Sequence, residues 1–408
     1  MNTGHETPLY DVAVVGAGPA GATAAAELAR AGHRVALIDG STRIKPCGGA
    51  IPPRLVKDFA IPDSLLKARV RGARIGAPSG RSIDMPIADG YVGMVDREEF
   101  DEWLRERAVG AGVTRLRASF RRFERDTDGT ACLRLEPLTD GQLTFQAIRA
   151  RAVIGADGAA SPLARQALPD SAPPPMVYAY HEVLSAPAAD ACPSYDAERC
   201  EVLYDGKISP DFYGWVFPHG DQISVGMGTA RRGFSIRAAT TALRGLAGLA
   251  DVPTLRTEGA PIPMRPRRRW DNGRDVVLAG DAAGVVAPAS GEGIYYAMVS
   301  GQHAASAVDE FLVSGRARAL AGARARFMRE HGRVFWVLGI MQRFWYSSDA
   351  RRERFVTMCA DEDVQRLTWE AYMNKRLVRT RPMAHIRIFF KDLAHLLGLG
   401  PAGAGPQR

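Results

Sequence analysis

The sequence predicts a mixed α/β fold, in which a Rossmann-like unit is interleaved with an antiparallel β-sheet and followed by C-terminal helices. Three observations support this: residues 10–39 have a strand–turn–helix–strand pattern, residues 177–228 alternate strand-like runs with turn residues, and a helical pattern begins at Arg316. The chain has 408 residues, which is enough for two or three packed units, and its 46% hydrophobic and 24% charged residues are typical of globular proteins.

The N-terminal segment is the most informative. Residues 12–15 and 35–38 are short apolar strands, and residues 22–30 are strong helix formers. The turn between the first strand and the helix carries glycines at G-x-G-x-x-G spacing, namely Gly16, Gly18 and Gly21. Such a turn brings a pyrophosphate to free N–H groups at a helix N-terminus, and an acid after the second strand, here Asp39, accepts hydrogen bonds from ribose hydroxyls. The segment predicts a dinucleotide site.

A second turn of similar design lies at residues 275–301. An apolar strand over 276–279 is followed by Gly280 and Asp281, a loop of small residues, and a helix that opens near Gly291 and Gly293. This order resembles the glutathione-reductase-type flavoprotein pattern, in which the Asp of the Gly-Asp pair binds the ribityl chain. The alternative is that Asp281 only caps a helix.

A third segment, residues 153–165, resembles the Asp-Gly motif of flavin hydroxylases, because an apolar strand precedes Gly155, Asp157 and Gly158. The three motifs in this order predict FAD as the cofactor. Since the chain carries one dinucleotide fingerprint, a nicotinamide donor has to dock transiently or be replaced by another donor, as is typical of proteins that resemble the hydroxybenzoate hydroxylase family.

The order of these patterns predicts three units. The FAD-binding domain comprises residues 1–68, 95–172 and 265–315. An antiparallel β-sheet substrate domain is built from 69–94 and 173–264, with a strand pair over 70–85 around the turn at 78–80. Residues 316–408 form a helical C-terminal region, in which 383–399 carries an apolar helical stripe that fits either a core helix or an interfacial helix.

Two segments point to the reacting end of the site. The loop Lys45-Pro46-Cys47-Gly48-Gly49 follows the second strand, where this architecture places a loop near the flavin ring. On a strand, Tyr213, Trp215 and Phe217 share one face, which forms either plain core packing or the wall of an apolar ligand tunnel. Cys47 has an equally simple alternative as a small buried residue.

Together, the P-C-G-G loop, the Y-x-W-x-F-P segment and the flavin motifs resemble the geranylgeranyl reductase family. The segments KPCGGAIPPRLVKDF, VDREEFDEWLRERA and YDGKISPDFYGWVFP are similar to its chlorophyll and bacteriochlorophyll branch in particular, and the similarity spans residues 10–381. The resemblance implies reduction of the geranylgeranyl group of a (bacterio)chlorophyll, or of geranylgeranyl diphosphate, to phytyl, with NADPH as donor through FAD. It also places Ala20, Cys47, Gly48, Gly49 and Arg97 at the cofactor.

The chemistry sets further requirements. An isolated trisubstituted alkene is not polarised, so a proton has to reach one carbon as hydride reaches the other. Charge then develops at the tertiary carbon, and an aromatic face stabilises it by roughly 1–2 kcal/mol when desolvated. Tyr213 and Trp215 are candidates for that catalytic role, with Phe217 as a further substrate contact. Cys47, Tyr213 or a flavin-bound water are candidate proton sources.

Charge and composition limit the partners. The formal net charge is +8, and basic clusters at 265–269, 351–354 and 375–381 lack the interleaved aromatics of a nucleic-acid groove. They are either solvated faces or a surface for anionic lipid or an anionic substrate. Five scattered cysteines indicate no metal site, and no signal peptide or membrane span is recognised. We therefore expect a cytoplasmic protein, peripheral on the cytoplasmic face of the inner (photosynthetic) membrane.

Other functions fit the same motifs. A flavin-dependent monooxygenase of the hydroxybenzoate hydroxylase type is the main alternative, and oxygen-independent turnover separates a reductase from it. A flavin halogenase requires halide. A non-enzymatic alternative is a pigment-binding protein that keeps FAD for stability. Such a protein would bind prenyl substrates, but these substrates would not reoxidise its flavin.

Overall fold

The computed structural model describes residues 7–40, 44–138, 145–188 and 192–375. These residues form two seven-stranded sheets, a three-stranded sheet and helices that pack on them. The predicted mixed α/β class is confirmed. Predictions about residues 383–399, and most of the basic cluster at 375–381, lie outside the described residues.

In chain order, the described strands are β1 Leu9–Val15, β2 Val35–Ile38, β3 Ala50–Ile51, β4 Leu66–Val70, β5 Gly72–Gly76, β6 Ser82–Pro86, β7 Val92–Val95, β8 Thr114–Leu116, β9 Ala118–Arg125, β10 Ala131–Pro137, β11 Ala147–Gly155, β12 Met176–Ser185, β13 Arg199–Leu203, β14 Gly214–His219, β15 Gln222–Thr229, β16 Thr254–Pro263 and β17 Val276–Leu278. The described α-helices are α1 Pro19–Arg30, α2 Pro53–Asp58, α3 Arg97–Gly110, α4 Pro162–Ala167, α5 Ile236–Leu246, α6 Ile294–Ser314, α7 Gly322–Trp345, α8 Asp349–Met358 and α9 Glu362–Asn374.

The first sheet has the strand order β8-β2-β1-β11-β10-β9, and β17 pairs with β11. Its strands from β8 to β11, together with β17, are parallel, whereas β10 and β9 add antiparallel strands at one edge. Strand β2 is buried along its whole length, as expected for a parallel strand with both faces covered. This sheet places the carboxyl ends of β1, β11 and β17 side by side, so the three predicted motifs meet at one edge.

Helix boundaries differ slightly from the expectation. Helix α1 begins at Pro19 and not at residue 22. Proline is favoured at the first position of a helix, because the N–H group that it lacks would have no acceptor within the helix. Strand β17 ends at Leu278, one residue before the expected end, and α6 begins at Ile294, directly after the predicted Gly291–Gly293 opening.

The second sheet has the order β16-β12-β15-β14-β13-β5-β6. It is antiparallel except for the parallel pair β13 and β5. Strands β5 and β6 are the predicted strand pair, and helix α5 packs on β15 and β12. The boundaries of the three predicted units themselves remain a prediction.

The third sheet has the strand order β3-β7-β4. In the sequence, its strands stand between strands of the first sheet and strands of the second sheet. Strand β7 leads directly into α3, whose first turn is capped by the Asp96 carboxylate accepting from the Glu98 N–H at 2.7 Å. This connection fixes Arg97, the first residue of α3, beside the loop that carries Cys47. None of the helices in the described ranges combines the length with the apolar character that a membrane span requires.

Candidate functional site

Three neighbouring cavities extend from the glycine turn to the aromatic strand, and Lys45 lines all of them. The first, of about 380 Å³, is lined by predicted cofactor residues, which are Gly16, Gly18, Ala20, Asp157, Gly280 and Asp281. The second, of about 100 Å³, shares Asp281 and is also lined by Cys47, Gly48, Arg97, Trp215, Gly291 and Gly293. The third, of about 130 Å³, shares Cys47 and Arg97 and is otherwise mostly polar.

The first cavity fits a pyrophosphate. Gly16 has a φ of +101°, and a Cβ there would lie 2.3 Å from the Ala156 oxygen, so only glycine permits this turn. A Cβ on Gly21 would overlap the Gly16 oxygen at 1.8 Å, which explains that glycine by packing. A Cβ on Gly18 would meet no atom within 4 Å, so Gly18 borders open space directly before helix α1. That space lies where an anion is stabilised by the helix N-terminus.

Asp39 is fully buried, and its carboxylate accepts hydrogen bonds from Arg115 at 2.8 Å and Arg117 at 2.5 Å. Arg105 lies 3.7 Å from the same carboxylate and also lines the first cavity. Arg115 in turn lowers the pKa of Glu102 to about 2. The acid predicted to bind a ribose is therefore part of a charged network at the edge of the first cavity, and no sequence pattern indicated its arginine partners.

Asp157 lies at the carboxyl end of β11. Its carboxylate accepts from the Ser161 hydroxyl at 2.6 Å and the Leu163 N–H at 2.9 Å, and thereby holds the start of α4. Burial raises the pKa of Asp157, although these two bonds oppose that effect. The neighbouring Gly158 also lines the cavity, so the Asp-Gly motif shapes its wall.

The Gly-Asp turn after β17 closes the other side. A Cβ on Gly280 would lie 2.8 Å from Ala20 Cβ, which shows how closely the two glycine turns approach each other. The Asp281 carboxylate accepts from Lys45 Nζ at 2.6 Å. Lys45 was not predicted as a site residue, because a single lysine in a loop gives no periodic or motif signal. Its ammonium adds a positive charge where the first two cavities join.

The cysteine loop forms one wall of the second and third cavities. The Gly49 N–H donates to Cys47 Sγ at 3.4 Å, and a Cβ on Gly48 would lie 3.1 Å from the Phe217 ring. Arg97 forms a buried bidentate ion pair with Asp101, at 2.9 and 2.8 Å. Burial opposes the charge on Arg97, but Asp101 and Cys47 raise its pKa, so a permanent cation stands next to the thiol.

The three predicted aromatic residues form a row. The ring centroids of Tyr213 and Trp215 are 6.1 Å apart, and those of Trp215 and Phe217 are 6.3 Å apart. The Tyr213 hydroxyl donates to the Ser290 carbonyl at 2.5 Å, and burial raises the pKa of this phenol. The proton of Tyr213 is therefore held by a backbone acceptor beside the Gly291 turn, while Trp215 reaches the wall of the second cavity.

Comparison with known proteins gives the family. Residues 9–320 match the family described as FAD binding domain. A geranylgeranyl diphosphate reductase of Rhodobacter capsulatus is 55% identical over 392 residues, covering 96% of this chain and 98% of that protein. The chain belongs to the geranylgeranyl diphosphate reductase family.

Two further comparisons describe the breadth of this family and its fold. A chloroplastic geranylgeranyl diphosphate reductase of Oryza sativa is 36% identical, covering 95% of this chain and 86% of that protein. The crystal structure of a geranylgeranyl bacteriochlorophyll reductase-like protein from Thermoplasma acidophilum superimposes with a TM-score of 0.80 at 22% identity, covering 94% of this chain and all of that one. The latter shows the shared fold. This family member is an FAD-dependent oxidoreductase, as predicted.

Two of the basic clusters are only partly solvated in this geranylgeranyl reductase family member. Arg267 is buried and donates to the Ala282 carbonyl at 2.8 Å, and Arg352 is buried and donates to Asp349 at 2.6 Å. These two arginines stabilise loops and helix ends. The remaining arginines at 265, 268, 269, 351 and 354 are exposed.

Proposed function

We propose that this protein hydrogenates the geranylgeranyl group of geranylgeranyl diphosphate or of a (bacterio)chlorophyll to phytyl, with NADPH as the electron donor through FAD. The names of the full-length relatives support the substrate class. The observation that supports the proposal is that Cys47 and Gly48 of the cysteine loop and Trp215 of the aromatic row line the same second cavity.

The residues supply what an unpolarised alkene needs. Bound FAD, once reduced, supplies a hydride. Trp215 presents an aromatic ring at the second cavity, where it stabilises positive charge at a tertiary carbon. Cys47 lies at the wall of the same cavity beside the Arg97 cation, where its thiol can contact the substrate. A proton has to reach the other carbon from a group or a water molecule at the site.

An apolar wall explains repeated reduction of one chain. Isoprene units are alike, and the rings of Tyr213, Trp215 and Phe217 offer few directional contacts, so a prenyl chain can slide between reductions. Burial contributes about 0.8 kcal/mol per CH₂ group, although ordering of the chain offsets part of it. The allylic bond next to the head group stays intact, because the bulky head group stops further advance. Three of the four double bonds are then reduced.

The donor and the location follow from the same reasoning. One dinucleotide fingerprint serves FAD, so NADPH docks transiently to reduce the flavin. The protein acts at the cytoplasmic face of the inner, photosynthetic membrane, where a hydrophobic prenyl substrate is available. Exposed Trp336 and Ile340, one turn apart on α7, with exposed Arg333 and Arg343 beside them, support peripheral contact with anionic lipid.

An anaerobic reaction with NADPH tests the function. Purified holoenzyme is supplied separately with geranylgeranyl diphosphate and with geranylgeranyl-bacteriochlorophyll, and products are followed by chromatography and mass spectrometry. We expect dihydro and tetrahydro intermediates under limiting reductant and the hexahydro product at completion. Hydroxylated product in air without alkene reduction supports the monooxygenase alternative, and halide-dependent product supports a halogenase. Absence of hydrogen uptake by both prenyl substrates contradicts the proposal.

A further inference from the structure

A continuous row of polar side chains crosses the second sheet and ends at the aromatic row. Glu258, His181, Ser224 and Trp215 come from four adjacent strands, β16, β12, β15 and β14. His181 Nε2 lies 3.0 Å from the Glu258 carboxylate, and His181 Nδ1 lies 2.8 Å from Ser224 Oγ. The Trp215 indole N–H donates to Ser224 Oγ at 3.1 Å. The three distances make one uninterrupted hydrogen-bond chain.

The backbone is adapted to this row. His181 stands directly opposite Glu258 in the β12–β16 pair, and opposite Gly226 in the β12–β15 pair. Gly226 is also opposite Trp215 in the neighbouring pair. A Cβ on Gly226 would lie 2.4 Å from His181 Cβ and 2.5 Å from the Trp215 ring. The absence of a side chain at this position is what allows the imidazole and the indole to approach each other.

Burial makes the row costly unless it is fully bonded. His181 is 4% exposed and Ser224 is 3% exposed, in a sheet whose neighbouring side chains are largely apolar. Burial of polar groups destabilises a folded protein unless the donors and acceptors have hydrogen-bond partners. Here three bonds link all four side chains of the row, and at its Glu258 end Arg256 Nε also donates to the carboxylate at 2.7 Å.

The charges fix the direction of the bonds. Burial raises the pKa of Glu258, but the hydrogen bonds from His181 and Arg256 outweigh it and lower that pKa, so the carboxylate is ionised. It therefore accepts from the His181 Nε2–H. When His181 is protonated, its Nδ1–H donates to Ser224 Oγ, which also accepts from Trp215. Both lone pairs of Ser224 are then used, and its own O–H is free to donate elsewhere.

The third cavity lies where that O–H can donate. His181, Ser224 and Glu258 line it together with Cys47 and Arg97, and at about 130 Å³ it has room for water. His181 also lines the second cavity, as does Trp215. The row thus connects a partly buried carboxylate to the side of the site where the alkene is expected.

We propose that His181 is the proton source for alkene reduction, that Ser224 delivers the proton into the third cavity, and that Glu258 stabilises the imidazolium. This inference rests on the proposed reductase function. In each reduction one carbon of the alkene would receive the hydride that bound, reduced FAD supplies, and the π electrons form the second C–H bond with a proton. The Ser224 hydroxyl gives up that proton through cavity water and regains one from His181 Nδ1–H, which leaves a neutral imidazole. Solvent entering the cavity between reductions reprotonates it.

Glu182 offers a matched control for Glu258. It lies next to His181 on β12, is similarly buried, and accepts from Arg244 at 2.7 Å, as Glu258 accepts from Arg256 at 2.7 Å. Glu182 is not one of the described residues that line the three cavities. Glu258→Gln and Glu182→Gln therefore each remove one charge from a partly buried pair with an arginine, but only the first substitution changes a residue of the row.

The experiment separates the two halves of turnover in holoenzyme of confirmed flavin content and unfolding temperature. FAD is reduced first with NADPH, and then reoxidised anaerobically by geranylgeranyl diphosphate in H₂O and in D₂O. We expect His181→Gln to slow reoxidation about 10- to 100-fold, and Glu258→Gln about tenfold, with flavin reduction unchanged. Glu258→Asp restores part of the rate, and the solvent isotope effect rises in both slow variants. Glu182→Gln matches the wild type.

Unchanged reoxidation rates and isotope effects in folded His181→Gln and Glu258→Gln overturn the inference, while leaving the proposed function intact. Equal slowing in Glu258→Gln and Glu182→Gln also overturns it, because the loss is then structural. If the wild type itself transfers no hydrogen to the prenyl substrate, the proposed function fails and this inference fails with it.

Discussion

Lys375, directly after the end of α9, forms a buried ion pair with Glu292, which lies just before α6. The ammonium also lies 3.8 Å from the centroid of the Tyr372 ring. Burial lowers the pKa of Lys375, while Glu292 opposes that effect. The pair connects the C-terminal helices to the Gly291–Gly293 turn that lines the second cavity, so the last described helix contributes directly to the position of a cofactor motif.

The first prediction concerns this pair. Glu292→Gln leaves the Lys375 charge buried without its partner, and we expect a loss of roughly 3–5 kcal/mol in the free energy of unfolding. The double variant Glu292→Gln, Lys375→Met removes both charges and should recover a large part of that loss. Denaturant unfolding of the three proteins measures it. A double variant less stable than the single one contradicts the pairing.

The second prediction concerns FAD. Gly18→Val places a side chain in open space at the N-terminus of α1, so the chain should fold but retain little flavin. Gly245→Val is the control, because a Cβ on this helical glycine also meets no atom within 4 Å and the residue lines none of the three cavities. Flavin absorbance after purification measures occupancy. Full occupancy in Gly18→Val would count against a pyrophosphate at this turn.

The third prediction concerns Cys47. Cys47→Ala should keep FAD, because the thiol lies at the second and third cavities and not at the first. We expect single-turnover reduction of the alkene to slow by about tenfold or more, because the thiol lines both the cavity of Trp215 and the cavity of Ser224. Cys47→Ser keeps a polar group of similar size and should be less impaired. Wild-type rates in Cys47→Ala assign the residue to packing alone.

The fourth prediction concerns pH. Burial lowers the pKa of His331 to about 4, from an ordinary value of 6.5. Between these values the unfolded chain binds more protons than the folded one, so the stability contributed by neutral His331 is complete above pH 6.5 and is lost as pH falls towards 4. His331 packs on the rings of Tyr295, Tyr296 and Phe327. His331→Phe should therefore lose less stability between pH 7 and 4, by on the order of 1–3 kcal/mol. Unfolding curves at several pH values measure this, and parallel curves contradict it.

The fifth prediction concerns the membrane. The protein should sediment with vesicles that contain anionic lipid and be released by high salt, because screening weakens basic contacts. Trp336→Ser and deletion of residues 383–408 should each weaken sedimentation. Vesicles of neutral lipid are the control, and equal sedimentation with both compositions removes the electrostatic part of the proposal.

Local patterns predicted those parts of the fold that depend on neighbouring residues. The turn at Gly16 and the β5–β6 pair were recognisable because each uses a short spacing that few other structures require. The salt bridge between Lys45 and Asp281 could not be predicted, because these residues are far apart in the sequence and come together only in the folded protein. The row of His181, Ser224 and Glu258 could not be predicted for the same reason. Each is one polar residue in an extended strand, and its partner depends on strand pairing that the sequence does not specify.

The arrangement of the first sheet also sets the order of assembly during synthesis. Ala20 in the first helix meets Gly280, and a Cβ on Gly301 would lie 2.4 Å from the Ala20 carbonyl oxygen, so α6 covers α1. The first contact requires the turn after β17, and the second requires α6 to have left the ribosome. Until then the nascent chain exposes the apolar face of α1 and lacks one wall of the cofactor cavity. We therefore expect the chain to capture flavin only after α6 has been synthesised, and not while α1 and the first strands stand alone.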